Sequence, residues 1–164
     1  MKLDITNQER ELFEVIHTAA DYLHQDVYVV GGFVRDRILG IPCKDLDFVT
    51  VGDGPALAEE VSRRLGAAAS DLSVFKTFGT AMIRYKDLEL EFVGARKESY
   101  NTDSRKPDVE AGTLEDDQLR RDFTINALAA KLQGDGIYTI IDPFNGLDDL
   151  RDGLIITPLD PHQT

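Results

Sequence analysis

The sequence has 164 residues, enough for one domain with a real core, and its 42% hydrophobic content is that of an ordinary globular protein. The formal net charge of −12 argues against a broad nucleic-acid-binding face but allows a small phosphate site with local Arg and Lys. The single cysteine, Cys43, excludes an internal disulfide, and no apolar run reaches the length of a membrane span. With no visible signal peptide and no zinc-ligand spacing, we expect a cytoplasmic protein without membrane contact.

The first predicted element is a helix that begins near a capping box at Thr6 to Glu9. Apolar residues then recur at helical spacing as far as Leu23. This helix is expected to pack on a sheet and to carry no chemistry.

The next stretch predicts a strand, a glycine turn and a short helix. Residues 27–30 are β-branched and aromatic, and Gly31 and Gly32 break that run. Residues 34–39 suit a short helix that ends at Gly40. A glycine pair after a strand is by itself often only a turn.

A second strand starts with two carboxylates, Asp45 and Asp47, followed by the apolar run 48–51. Residues two apart on a strand point to the same side, so these carboxylates project together. They repel each other unless a cation lies between them, and Mg²⁺ prefers a few carboxylates plus substrate phosphates. A solvated strand end is the simpler reading of this pair when it stands alone.

The next predicted elements are a helix over 55–65 and strands over 74–78, 81–85 and 88–93, with a hairpin at Lys86-Asp87. A long polar loop over 95–112 follows, and then a helix that is capped by Thr113 and Asp116 and runs through Arg120. The last elements are a second apolar helical stripe over 123–128, a strand over 137–141 and a turn over 142–146. Together they predict an α/β (α+β) domain, a mixed sheet of about five strands with helices mainly on one side.

Two later segments carry polar side chains in useful patterns. Glu89 and Glu91 alternate with apolar residues and so share one strand face, which could equally be a solvated face. In RRDFTINA, residues 120–127, Asp122 and Asn126 are four apart and would share one face of a helix.

The combination of GGFVRD, LG and DLDFV in one short span, together with RRDFTINA, resembles the signature of the nucleotidyltransferase superfamily. More narrowly it resembles the class II tRNA nucleotidyltransferases, the CCA-adding enzymes, and the related bacterial poly(A) polymerases. The resemblance covers residues 27–161. It implies a polymerase beta-like head domain and nucleotidyl transfer from CTP or ATP to an RNA 3′-hydroxyl, with CCA addition to tRNA preferred.

The resemblance also implies the site residues. Asp45 and Asp47 would hold two Mg²⁺ ions, and Glu91 matches the third catalytic carboxylate by position, with Glu89 left open as the alternative. Asp36 would orient a neighbouring arginine. The residues implied to bind the nucleotide's phosphates and ribose are Gly31, Gly32, Arg35, Arg121, Asp122 and Asn126.

Two further segments have implied roles. The turn over 142–146 corresponds to a hinge and is taken as architecture rather than chemistry. The loop over 95–112 would help to accommodate primer and nucleotide, although a solvated charged loop is the alternative. Its locally basic character comes from Arg96, Lys97, Arg105 and Lys106, with Ser104 beside the last two.

In the resembled family a helical neck follows the head and carries the motif that chooses the base. We expect residues 1–164 to be the head alone, with the neck, body and tail, and most of the tRNA grip, outside this sequence. Poly(A) synthesis, nucleotide transfer to a small molecule or protein, and a non-catalytic nucleotide-binding module remain alternatives. The paired Asp45 and Asp47 disfavour the last of these, while the base preference and the oligomeric state stay open.

Overall fold

The computed structural model describes residues 1–75, 79–100 and 107–158 of the protein. Within these ranges no helix combines the length and the apolar character that a membrane span requires. The helices are α1 (Asn7–Tyr22), α2 (Gly32–Leu39), α3 (Gly54–Leu65), α4 (Leu114–Leu119) and α5 (Gly146–Asp152). The strands are β1 (Asp26–Val30), β2 (Asp45–Val51), β3 (Ala69–Phe75), β4 (Thr80–Tyr85), β5 (Leu88–Gly94), β6 (Arg96–Tyr100), β7 (Pro107–Ala111), β8 (Ala129–Lys131) and β9 (Ile140–Ile141).

Seven strands form one mixed sheet in the order β3-β4-β5-β2-β1-β8-β9. Strands β2 and β5 are parallel neighbours, and the other pairs are antiparallel. The predicted mixed sheet is confirmed, with seven strands rather than about five. The short strand β8 was not expected, because a strand of three residues has too little pattern to be recognised, whereas β9 lies within the predicted strand over 137–141.

The main core lies between the sheet and helices α1, α2 and α3. The fully buried ring of Phe13 in α1 makes edge-on contacts with the rings of Phe33, Phe48 and Tyr138. Each such ring removes a large apolar area from water, and the edge-on pairs add about 0.5–1.5 kcal/mol each. The predicted capping box is present, since Thr6 and Glu9 exchange side-chain and backbone hydrogen bonds.

A smaller core covers the other face of the sheet, where Val30, Val49 and Ala129 pack with Leu114 of α4 and with Ala95. Helix α4 begins at Thr113, whose capping box with Asp116 forms as the sequence predicts. This second core decides the site's position, because it holds α4 over the strands that carry the carboxylates.

The predicted loop over 95–112 is wrong for the part that the structure describes. Strands β6 and β7 pair antiparallel in a separate two-stranded sheet, from Arg96 opposite Ala111 to Tyr100 opposite Pro107. A segment this polar has no apolar periodicity, so the sequence pattern did not predict the two strands. Ser104 and the basic residues Arg105 and Lys106 lie outside the described residues, as does the side chain of Lys97.

The predicted helical stripe over 123–128 is also wrong. Residues Thr124–Asn126 form a single 3-10 turn, and the chain then enters strand β8. The backbone N–H of Thr124 donates to the carbonyl of Ile156 instead of continuing an α-helical ladder. A run of so few apolar residues fits the spacing of a helix and that of a strand equally well, so the sequence pattern could not separate them.

Three predicted element boundaries also shift. The predicted strand over 74–78 begins earlier, at Ala69, and its last residues 76–78 lie outside the described part. The predicted strand over 137–141 is paired in the sheet only at Ile140–Ile141. The short helix begins two residues earlier than predicted, at Gly32 directly after the turn.

Candidate active site

The two strands at the centre of the sheet bring the predicted carboxylates together. Asp45 and Asp47 share one face of β2, while the residues between and beyond them, Leu46 and Phe48, are fully buried in the main core. In the parallel ladder Asp47 is the register partner of Glu91, and Asp45 is the register partner of Glu89. The pleat therefore sets four carboxylates on one face, in two rows.

The row formed by Asp47 and Glu91 carries raised pKa values. Burial raises the pKa of Asp47, and the carboxylates of Asp45 and Asp117 raise it further against the opposing effect of Arg121. Burial also raises the pKa of Glu91, with Asp47 adding to it and Arg121 opposing. Two neighbouring half-buried acids whose pKa values are both raised form a site that favours a cation.

The glycine turn lies directly against this acidic row. Gly31 has φ +74° and ψ −139°, a backbone conformation that side-chain-bearing residues rarely adopt. A methyl group at Gly31 would lie 3.3 Å from Nη1 of Arg121 and 3.8 Å from Oδ2 of Asp47. A larger residue at position 31 would push the guanidinium of Arg121 aside.

The two glycine amides differ in their surroundings. The backbone N–H of Gly31 donates to the carbonyl of Leu128 at 3.0 Å, which joins the turn to the start of β8. The N–H of Gly32 is the first of helix α2, whose N-cap residue Gly31 provides no side-chain hydrogen bond.

A chain of side-chain hydrogen bonds links α2 to the RRDFTINA segment. Arg35 donates from Nε to Asp36 at 2.9 Å and from Nη1 to Oδ1 of Asn126 at 2.6 Å. Asn126 in turn donates from Nδ2 to Asp122 at 2.9 Å. The expectation that Asp36 orients Arg35 agrees with the first of these bonds. Asp122 and Asn126 are neighbours as expected, although they share a turn rather than an α-helix.

Asp117 belongs to this arrangement and was missed in the sequence. Its buried carboxylate accepts from Nε and Nη2 of Arg121, at 3.1 and 3.0 Å, and so fixes the guanidinium between α4 and Asp47. The i, i+4 spacing of Asp117 and Arg121 on a predicted helix was the signal that could have revealed it.

The segment after the turn at 142–146 supports the site from behind. Both oxygens of Asp142 accept backbone N–H groups, from Gly146 at 2.6 Å and from Leu147 at 3.0 Å. The buried hydroxyl of Thr124 donates to Asp149 of α5. The turn is thus held by its own hydrogen bonds, and α5 after it anchors the 3-10 turn that carries Asn126.

An open cleft of about 330 Å³ adjoins the acidic row. Thr80, Glu91 and Val93 of the sheet form its floor. Its other lining residues are Arg96, Asp117, Arg120 and Arg121. The cleft thus places three guanidinium groups near the paired carboxylates, which is the local positive charge that the acidic composition allows.

The donor set agrees with Mg²⁺, although it is not a closed cage. No three His, Cys, Asp or Glu side chains among residues 1–75, 79–100 and 107–158 converge closely enough to hold a metal ion by themselves. Mg²⁺ commonly takes only one or two protein carboxylates and completes its shell with water and substrate phosphates. Burial and the carboxylates of Asp45 and Asp117 raise the pKa of Asp47, which is a sign that a cation would be stabilising here.

Comparison with known proteins gives a consistent result. The poly A polymerase head domain family matches residues 27–156. The A-adding tRNA nucleotidyltransferase of Aquifex aeolicus is 44% identical over 128 residues, which are 78% of this chain and 15% of that protein. A solved structure of a tRNA-processing enzyme in an apo form superposes with a TM-score of 0.82 at 35% identity, covering 97% of this chain and 39% of the other.

A second solved structure, a tRNA nucleotidyltransferase complexed with a primer tRNA and an incoming ATP analog, has a TM-score of 0.74 at 38% identity. It covers 88% of this chain and 39% of that one. This chain therefore spans well under half the length of these relatives.

Proposed function

The chain belongs to the poly A polymerase head domain family, and on this premise we propose that it is the catalytic head of an RNA nucleotidyltransferase that extends the tRNA 3′ end from ATP or CTP. The observation that carries the proposal is the register match of Asp47 with Glu91 beside Arg121 and Gly31. The A-adding names of relatives support tRNA as the acceptor and ATP as the first nucleotide to test.

Asp45 and Asp47 would hold two Mg²⁺ ions, with Glu91 as the third carboxylate. The bound ions supply positive charge that stabilises the attacking and leaving oxygens. Asp47 and Glu91 lie opposite each other on paired strands of the sheet, so little reorganisation is needed when charge develops.

The remaining residues bind and orient the nucleotide. The guanidinium of Arg121, fixed by Asp117, faces the triphosphate, and Arg35 adds a second positive charge at the start of α2. Asp122 and Asn126 are placed to hydrogen-bond ribose hydroxyls. The chain thus acts by positioning and electrostatics, without a covalent intermediate.

The experiment uses the whole gene product that contains these 164 residues. The assay measures incorporation of AMP and CMP into tRNAs lacking the terminal A or the entire CCA end, in the presence of Mg²⁺. Wild type is expected to add nucleotides, and Asp47→Asn to lower the rate at least about a hundredfold, about 2.7 kcal/mol of barrier. Asp87→Asn, at an exposed carboxylate paired with Lys44, is the control.

The outcomes separate the alternatives. Long A runs on an unrelated RNA would favour poly(A) synthesis. Nucleotide binding without any transfer would favour a binding module and overturn the proposal. Asp47→Asn activity within about tenfold of wild type would remove Asp47 from the metal site, because about 1.4 kcal/mol is too little for a metal ligand.

A further inference from the structure

Two exposed apolar side chains lie on the same sheet face as the carboxylates. Met82 on β4 is the register partner of Glu91, which is the partner of Asp47. Phe75 on β3 is the partner of Thr80, two residues from Met82 on β4. Residues opposite each other in a ladder, and residues two apart on a strand, share a face. Phe75 is 47% exposed and Met82 is 37% exposed, so an apolar surface continues outward from the acidic row.

The position of this surface can be estimated from strand spacing. Neighbouring strands are about 4.8 Å apart, so Met82 lies roughly 10 Å from Asp47 and Phe75 roughly 15 Å away. The alternate residues Ala81 and Ile83 point into the main core and are buried. The sheet therefore holds the two exposed side chains at fixed positions.

Positive charge stands beside the apolar surface. Thr80, the partner of Phe75, is in the floor of the cleft that Arg96 and Arg120 also line. Neither of these arginines forms an ion pair with any side chain that the structure describes. A sequence-tolerant site for single-stranded nucleic acid combines these two elements, an aromatic stacking surface and cations along the backbone.

The chemistry gives the direction from which the acceptor arrives. In nucleotidyl transfer the attacking and leaving oxygens are roughly in line through phosphorus. The glycine turn and Arg35, proposed to hold the triphosphate, lie on the β1 side of Asp47. The attacking hydroxyl therefore enters from the opposite side, over β5 and β4, where the apolar surface lies.

We propose that Phe75 and Met82 form a stacking platform for the last bases of the acceptor RNA's unpaired 3′ end. The inference rests on the proposed function and deepens it by assigning the acceptor side of the cleft. Stacking accepts any base, since every base has a π face, while Arg96 and Arg120 neutralise the phosphates between them. The platform holds the terminal nucleotide so that its 3′-hydroxyl reaches the row of Asp47 and Glu91.

The test combines a change in the protein with a change in the RNA. The whole gene product is compared as wild type, Phe75→Ala, Phe75→Leu and Phe75→Tyr. The control is Ile137→Ala, an exposed apolar residue before β9 at the opposite edge of the sheet. Each protein extends two acceptor RNAs, one intact and one whose last two nucleotides lack bases, and KM is measured separately for RNA and for ATP. Thermal unfolding checks that each variant is folded.

Phe75→Ala is expected to raise KM for the intact RNA at least about fivefold and to leave KM for ATP within about twofold, because one stacked base is lost. Phe75→Leu should show a smaller rise, and Phe75→Tyr and Ile137→Ala should resemble wild type. On the abasic RNA, wild type and Phe75→Ala should have the same KM.

An unchanged KM for intact RNA in Phe75→Ala overturns the platform. An equal rise on both RNAs also overturns it, since the ring then packs on another part of the protein rather than on a base. If wild type extends no RNA at all, the proposed function and this inference both fail. If wild type extends RNA but Phe75→Ala leaves KM for it unchanged, only this inference fails.

Discussion

Arg35 donates from Nη1 to Oδ1 of Asn126 at 2.6 Å, across 91 positions of sequence. Arg35 follows the glycine turn on α2, and Asn126 ends the 3-10 turn after α4. The bond joins the side of the site proposed to bind phosphate to the side proposed to bind ribose. Because Asn126 also donates to Asp122, a change at any of the three shifts the other two.

Removing this network should weaken the distinction between ribose and deoxyribose. We expect Asn126→Ala and Asp122→Ala to reduce the preference for ATP over dATP in kcat/KM. In wild type, dATP lacks the 2′-hydroxyl and leaves the side chain without its hydrogen-bond partner, and this penalty disappears when the side chain is removed. The measurement is kcat/KM for both nucleotides in the whole gene product, with Asn7→Ala, at an exposed residue of α1, as the control. An unchanged ratio in both variants would remove this segment from the sugar site.

The sequence was enough for the parts of the site that one strand or one turn determines. The pair Asp45 and Asp47 follows from strand alternation, and the glycine turn from the break after β1. The structure was needed to see that Arg121 is fixed by Asp117 and lies against Gly31 and Asp47. Contacts of this kind depend on how α4 is packed over the sheet, which no local pattern records.

The choice between Glu91 and Glu89 can now be tested. Glu91 is half-buried and is the register partner of Asp47, whereas Glu89 forms an ion pair with Arg84 at 2.8 Å. Glu91→Gln should lower kcat for transfer more than about tenfold, and Glu89→Gln should stay within about threefold of wild type. Single-turnover rates with saturating ATP and tRNA would measure this, and the reverse order would make Glu89 the third carboxylate.

The acidic row should destabilise the metal-free fold at neutral pH. Burial raises the pKa of Asp47, so the folded protein holds this proton more tightly than the unfolded chain, and stability falls as the pH rises through the raised pKa. Asp47→Asn is therefore expected to raise Tm at pH 7 in EDTA. The gain should shrink as the pH is lowered through that pKa, because the wild-type carboxyl then becomes neutral as well.

Thermal unfolding of Asp47→Asn, Asp87→Asn and wild type over a range of pH gives this comparison. Asp87 is exposed, so its change should leave Tm nearly unaffected at every pH. A gain for Asp47→Asn that is equal at all pH values would mean that packing, and not charge, is responsible.

The fold itself was predictable where apolar patterns were long. Helices α1 and α3 and strands β2, β4 and β5 were all expected, because each has several apolar residues at one period. Strands β6 and β8 were missed for opposite reasons. Strand β6, RKESY, is polar and has no apolar stripe, while the first two residues of the three-residue β8 are both buried.

The last prediction concerns base choice. Every described residue that we assign to the nucleotide is proposed to contact phosphate, ribose or metal, and all nucleoside triphosphates share these groups. Selection among bases needs donors and acceptors matched to the base edge, so that a wrong base leaves a buried polar group unpaired. We therefore expect the 164-residue chain to bind CTP, ATP, GTP and UTP, each with Mg²⁺, with dissociation constants within about tenfold of one another. Calorimetric titration with the four nucleotides measures this. A preference for ATP or CTP above about tenfold, about 1.4 kcal/mol, would show that this chain reads the base itself.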